Sequence, residues 1–249
     1  MIGVSFIITT SGTNDSMVNT VIDSIESEKL DQYEIIIVGG DTTSIDRKCT
    51  QHIPFDESQK AHIILHGYAG RWTTRKKNIG ISAAKFDVVI PMHDYVKINP
   101  GWKKGFYDHG LDWDICNHQC LLSNGVRADG WRINTFPGLP KYCMIPYDIE
   151  IFVPYMMIQG NYWAAKKSTM LKFPLDENLL WGMEEDAEWS RRVIPKCKIN
   201  MNANCIVQYL KPRPDDASHA VDVNTMNSYN HYWNDLRSMQ TKYYKLCRE

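Results

Sequence analysis

Phe86-Asp87-Val88-Val89-Ile90-Pro91-Met92-His93-Asp94-Tyr95-Val96-Lys97-Ile98-Asn99-Pro100-Gly101-Trp102 is the stretch whose reading decides the fold. Val88–Ile90 is a short apolar run with the character of a buried strand. Pro91 lacks an N–H and is expected to stop ladder pairing. His93-Asp94-Tyr95 then falls past the C-terminal end of that strand, where open α/β sheets bind ligands. Asn99-Pro100-Gly101 is turn chemistry, and Trp102 opens a helix. A carboxylate at such a strand end can hold a divalent cation, and the cation can hold a diphosphate.

Upstream, the same strand-then-polar-loop unit recurs. Val4–Thr9 is an apolar, β-rich run followed by Thr10-Ser11-Gly12-Thr13-Asn14-Asp15, and Val18, Val21, Ile22 and Ile25 then follow at helical spacing. Tyr33–Val38 reads as a second strand, closed by Gly39-Gly40-Asp41, and residues 63–65 as a third. Arg71–Ala84 reads as a helix with Ile79, Ala83 and Ala84 facing inward, which makes Val88–Ile90 the fourth strand. Strands and helices alternating at this pace predict βαβ units and a mostly parallel sheet. The loops at 9–15, 39–43 and 92–97 would then meet on one sheet edge.

Downstream the texture changes. Residues 123–155 are rich in Gly, Pro, Trp and Tyr with little periodicity, the composition of a functional loop. Apolar character returns over 156–165, a helix is expected over Trp181–Val193, and a late strand over Ile206–Leu210. From Val223 onward, Met226, Tyr229, Trp233, Leu236, Met239, Tyr243 and Leu246 recur every three or four residues, an amphipathic helix that packs on the body or forms a homodimer contact.

The chain has 249 residues, 43% hydrophobic and 23% charged, with net charge −1. That composition supports a packed core and argues against a nucleic-acid coat protein. No apolar run approaches the ~20 residues of a membrane helix, and the N-terminus lacks a basic n-region and a cleavage signal. Seven cysteines without a CxxC pair fit reduced thiols in a cytoplasmic protein. Cys116, His118 and Cys120 alternate on one strand face, a partial zinc pattern without an evident fourth ligand.

In order along the chain, Val4–Thr10, Glu34–Asp41, Lys77-Asn78-Ile79-Gly80, Met92–Tyr95 with Asn99–Trp102, and Trp181–Asp186 resemble the landmarks of GT-A fold glycosyltransferases, similar to family 2. The resemblance covers most of residues 3–210. It implies a single α/β domain over 1–249 with a Rossmann-like, mixed, mostly parallel sheet flanked by helices. Within it, residues 1–97 would bind the nucleotide and 98–220 the acceptor, with 221–249 as the C-terminal helix. It further implies a nucleotide-sugar donor, most simply a UDP-sugar, a saccharide or other hydroxyl acceptor, inversion at the sugar, and Mn2+ or Mg2+.

Carried over residue by residue, the resemblance makes Asp94 the metal ligand, with His93 where a second carboxylate usually stands. Thr9, Thr10 and Ser11 match the first nucleotide loop. Gly39 occupies the usual position of a base-pairing aspartate, and Asp41 lies two residues later. Lys77 stands where an arginine often precedes Asn-X-Gly, and Arg71 or Lys77 would face the diphosphate, which needs positive charge as it leaves. Asp186 would be the general base, Glu185 would hold acceptor hydroxyls, and Trp181 offers a flat face to a sugar ring. His219, past Lys211 and Arg213, is the candidate third metal ligand.

Two other classes fit parts of the pattern: a nucleotidyltransferase, whose Arg-containing glycine-rich loop is missing here, and a non-catalytic saccharide-binding protein, which eight tryptophans and thirteen tyrosines would also suit. The lack of G-x-G-x-x-G after a strand argues against a dinucleotide-dependent dehydrogenase.

Overall fold

The computed structural model describes residues 2–12, 15–40, 47, 49–65, 68–69, 71–133 and 144–211, with short stretches at 234–235 and 237–238. Asp41, His219 and nearly all of the expected C-terminal helix lie outside the described residues.

The strands are β1 (Val4–Thr9), β2 (Tyr33–Val38), β3 (Thr50–Ile53), β4 (Ile64–Leu65), β5 (Tyr68–Ala69), β6 (Val88–His93), β7 (Val96–Ile98), β8 (Ile115–Leu121), β9 (Arg127–Asp129), β10 (Arg132–Ile133), β11 (Met156–Met157), β12 (Ala164–Lys166) and β13 (Ile199–Tyr209). The helices are α1 (Asp15–Ser27), α2 (Thr73–Ala83), α3 (Trp102–His109), α4 (Lys167–Lys172) and α5 (Glu185–Val193). One mixed sheet runs β3-β2-β1-β6-β12-β8-β13-β7, with β9 paired to β8. The pairs β1–β2, β1–β6, β2–β3 and β8–β13 are parallel. The C-terminal ends of β1, β2 and β6 therefore open on one edge.

The sheet is buried on both faces, which is why its first strands read as continuous apolar runs. Val4, Phe6 and Ile8 of β1 pack with Val18, Val21, Ile22 and Ile25 of α1 and with Trp102 and Phe106 of α3. Ile7, Ile36 and Val38 point the other way, toward Ile81 of α2 and Trp189 and Val193 of α5.

Four expectations are corrected. The third strand of the sheet is Thr50–Ile53, a half-exposed edge strand with little apolar signal, while Ile64–Leu65 forms a separate hairpin with Tyr68–Ala69. Pro91 does not end its strand. Its carbonyl accepts from the Trp163 N–H at 3.4 Å, and its N-side faces the same edge, where antiparallel pairing has thinned to a single bridge, Met92 to Tyr162. The buried face of α2 is Thr73, Thr74, Lys76, Lys77, Gly80 and Ile81; of the residues expected inward, Ala84 is buried and Ile79 packs on the core, but Ala83 is exposed. The helix expected over Trp181–Val193 starts at Glu185, because Gly182 (φ +87°) and Glu184 (φ +57°) are left-handed and break the helical path.

Cys116, His118 and Cys120 do share a face, but the His118 ring is committed elsewhere. Its Nδ1 lies 2.8 Å from the Tyr162 hydroxyl, which accepts from the Trp102 indole at 3.0 Å. Burial lowers the His118 pKa to about 3, so the ring is a neutral core acceptor. Among the described residues no group of three or more His, Cys, Asp or Glu side chains could hold a metal ion.

Candidate active site

The donor end is built by the strand-end loops. The Thr10 hydroxyl donates to Asp94 Oδ2 at 2.8 Å, and the Asp94 N–H donates to the Thr9 carbonyl at 3.2 Å. Thr9 Oγ1 donates to the Met92 carbonyl at 3.3 Å. These contacts tie the loop after β1 to the loop after β6 and fix the Asp94 carboxylate. His93 is buried and stands edge-on to Tyr95, with ring centroids 5.3 Å apart.

Gly39 and Gly40 shape the neighbouring turn. Gly39 has φ +118°, and a Cβ there would sit 2.0 Å from the Thr10 carbonyl oxygen. An aspartate at the position where the resemblance places one is therefore sterically excluded in this loop. Gly39→Ala is expected to cost at least ~1–3 kcal/mol, because strained φ and backbone overlap act together. A thermal or urea melt checks this, and unchanged stability would mean the turn relaxes.

Beyond β1, β2 and β3 lies a cleft of about 550 Å³ lined by Ser11, Gly40, Pro54, Phe55, Asp56 and Glu57. Ser11 was expected there. Phe55, Asp56 and Glu57 come from an irregular stretch with no motif and were missed.

Cations surround the donor end. The Lys76 ammonium is buried, donates to the Thr10 carbonyl at 2.7 Å and pairs with Glu57. Burial pushes its pKa down, against the opposing pull of Glu57 and then Asp94. Lys211 Nζ lies 4.3 Å from the Tyr95 ring centre, and burial lowers its pKa while Asp94 raises it. Arg71 acts on both lysines and stacks its guanidinium over the Trp181 ring at 5.5 Å. Lys76 belongs to the basic cluster Arg71, Arg75, Lys76 and Lys77 legible in the sequence, but Arg71 and Lys77, and neither Lys76 nor Lys211, were the residues expected at the diphosphate. The i, i+3, i+4, i+7 set Thr73, Lys76, Lys77, Gly80 was the available signal, since it puts two lysines on the buried stripe.

The acceptor end is built around Gly160 and α5. Asp186 Oδ2 accepts from the Gly160 N–H at 3.0 Å, and Glu185 Oε2 accepts from the Gly182 N–H at 3.2 Å. Both acidic residues sit in the first turn of α5, where the helix dipole favours negative charge. Glu185 is buried, and its pKa is raised first by that burial and then by Asp186, with Lys77 opposing. Trp181 is half-buried, and its N–H donates to the Arg71 carbonyl at 3.0 Å. α2 holds this loop: Thr74 Oγ1 donates to the Leu179 carbonyl at 2.8 Å, and Asn78 Nδ2 to the Leu175 carbonyl at 2.9 Å.

The two ends are joined. The His93 N–H donates to the Asn161 carbonyl at 3.0 Å, next to Gly160 and hence to Asp186. Lys77, expected at the diphosphate, places its ammonium on the Gly160 carbonyl and 4.9 Å from the Trp163 ring centre. Its pKa is lowered to about 8, chiefly by burial. The unfolded chain, with an ordinary lysine pKa, binds this proton between about pH 8 and 10.5, so stability rises with pH across that window. Wild type should therefore gain ~3 kcal/mol on Lys77→Met between those limits in urea melts. Equal pH dependence of the two proteins would mean Lys77 is not desolvated.

No protein-family model matches the chain, and no curated protein does. Solved structures do match. S. aureus TarS 1-349 superposes with a TM-score of 0.59 at 11% identity, over 92% of this chain and 66% of that one. The same protein in complex with UDP-GlcNAc gives 0.57 at 11% identity, over 90% and 63%. GalNAc-T7 with UDP, GalNAc and Mn2+ gives 0.60 at 13% identity, over 86% and 45%. The chain thus spans 66% or less of the length of these structures. The fold is that of the GT-A glycosyltransferases, as the spaced landmarks implied. Among the described residues no helix is long and apolar enough to cross a membrane.

Proposed function

We propose that this chain transfers a sugar from a nucleoside-diphosphate sugar, most simply a UDP-sugar, to a hydroxyl of a saccharide or similar acceptor, with inversion. The observation that carries this reading is the pair of consecutive lysines on α2. Lys76 fastens the Thr10–Asp94 end, and Lys77 fastens the Gly160–Asp186 end. In this reading the donor-side and acceptor-side carboxylates, Asp94 and Asp186, are thereby tied through Thr10 and Gly160 to one helix. The UDP complexes of TarS and GalNAc-T7 agree with this reading.

In it, the nucleoside lies in the cleft walled by Ser11, Pro54 and Phe55. Thr9 and Thr10 shape the diphosphate end, with His93 beside it and Arg71 and Lys211 supplying positive charge, and Asp41 is the candidate carboxylate for the nucleobase. The metal fits the donor chemistry of Asp94. Mg2+ and related ions are bound through one or two carboxylates together with substrate phosphates, so Asp94 suffices from the protein, with His219 as a further candidate. When bound, such an ion neutralises charge growing on the diphosphate.

The acceptor oxygen attacks the anomeric carbon, and the bond from that carbon to the β-phosphate oxygen breaks. The electron pair leaves with the nucleoside diphosphate, and the acceptor proton passes to Asp186. Glu185, held by Gly182, orients acceptor hydroxyls, and Trp181 offers ring surface to the sugar. A thermal-shift screen of UDP-, GDP- and TDP-sugars with and without Mn2+ tests the donor class. Stabilisation by UDP-sugars supports the reading. No response to any nucleotide in calorimetry would overturn it.

A further inference from the structure

We propose that Lys77 is a positioning residue whose buried ammonium, seated on the Gly160 carbonyl, fixes the turn against which Glu185 and Asp186 of α5 pack and holds the charge of Glu185 for transfer. This rests on the reading of Asp186 as the base.

Gly160 is bound from both sides. Its carbonyl accepts from Lys77, and its N–H donates to Asp186 Oδ2 at 3.0 Å. A Cβ on Gly160 would lie 3.3 Å from the Asp186 Cβ and 3.5 Å from Glu185 Oε1, so the turn is packed directly against the pair. Lys77 is 1% exposed. An ammonium taken out of water with one carbonyl for company would shed its proton unless carboxylates held it. The charged groups acting on it are Glu185 and Asp186 from α5, which favour the charged form, and Lys76 from α2, which opposes it. The relation is mutual, because Lys77 is the cation that draws Glu185 down against its burial. Asp94 acts on Lys76 and Lys211 instead, so the two α2 lysines serve opposite ends of the cleft.

The test is Lys77→Met, which keeps length and removes charge. With carboxyl-13C-labelled protein, the Glu185 titration should move up by about one unit or more relative to wild type, the size of effect a lost neighbouring charge produces. UDP affinity measured by calorimetry should stay within about threefold, less than one direct charged contact is worth. An unmoved Glu185 titration overturns the proposal. So does a loss of UDP affinity of about tenfold or more, which would return Lys77 to the diphosphate. If Lys77→Met does not fold, Asp186→Asn with 13C-labelled lysine provides the second arm. The Lys77 midpoint should then fall below about 8, and an unmoved midpoint overturns the proposal. Full turnover in Asp186→Asn would sink the base assignment. The Lys77 assignment stands or falls on the titrations.

Discussion

Asp94→Ala is expected to weaken UDP binding by about 30-fold or more, and to erase any difference between binding in Mn2+ and binding in a chelator. The magnitude follows from removing one hydrogen-bonded partner of a part-buried charge arrangement, put at ~2 kcal/mol. Asp94 is held by the Thr10 hydroxyl at 2.8 Å and by its own N–H on Thr9, so its carboxylate is fixed before any ligand arrives. Lys76, Lys211 and Arg71 would remain, and with Asp94 gone they would attract the diphosphate directly. Mutant binding should therefore persist weakly and depend strongly on salt. The informative quantity is the ratio of affinities with and without Mn2+, measured by calorimetry at one ionic strength. A ratio unchanged by the mutation would mean that Asp94 is only a brace for Thr10.

The central strands were legible because burial on both faces leaves an unbroken apolar run, and β1 and β2 fall where such runs predict them. β3 was not legible, because Thr50-Gln51-His52-Ile53 is an edge strand that satisfies its backbone without burying much surface. Pro91 misled for a related reason. Its missing N–H matters only if a neighbour needs it, and that is decided by β12, a strand from far along the chain.

The site was legible as landmarks and not as contacts. Asp94 stands at a strand end that the apolar run before it marks, while Glu185 and Asp186 were named through the resemblance alone, the helix being expected to start at Trp181 and not at Glu185. The roles of Lys76 and Lys77 depend on which side of α2 is buried, and inward alanines and isoleucine were the expected stripe. A lysine on a buried stripe breaks the binary pattern, and local rules most often fail at functional sites. Gly39 shows the converse. A position that looked like a lost aspartate is a glycine because the Thr10 carbonyl occupies the space.

Asp186→Asn is expected to lower turnover by about 10²–10⁴-fold, the usual contribution of a general base, with UDP affinity barely changed. Asparagine keeps the size and can still accept from the Gly160 N–H, as Asp186 Oδ2 does at 3.0 Å. The turn should therefore stay in place, and the change isolates the proton acceptor. Glu185→Gln is the control in the same helix turn. Glu185 is the more buried of the two and is already occupied by the Gly182 N–H. Its loss should appear mainly as a higher acceptor KM with kcat largely kept. Reversal of the two phenotypes would place the base at Glu185, one residue earlier. If neither change alters the rate and wild type transfers from no sugar donor tried, while saccharide binding persists, the chain is a binding protein on a glycosyltransferase fold. The buried ammonium of Lys77 argues against that outcome. A saccharide-binding surface has no need of a desolvated cation tied to the turn that binds Asp186, whereas a site that must hold its base in one place does.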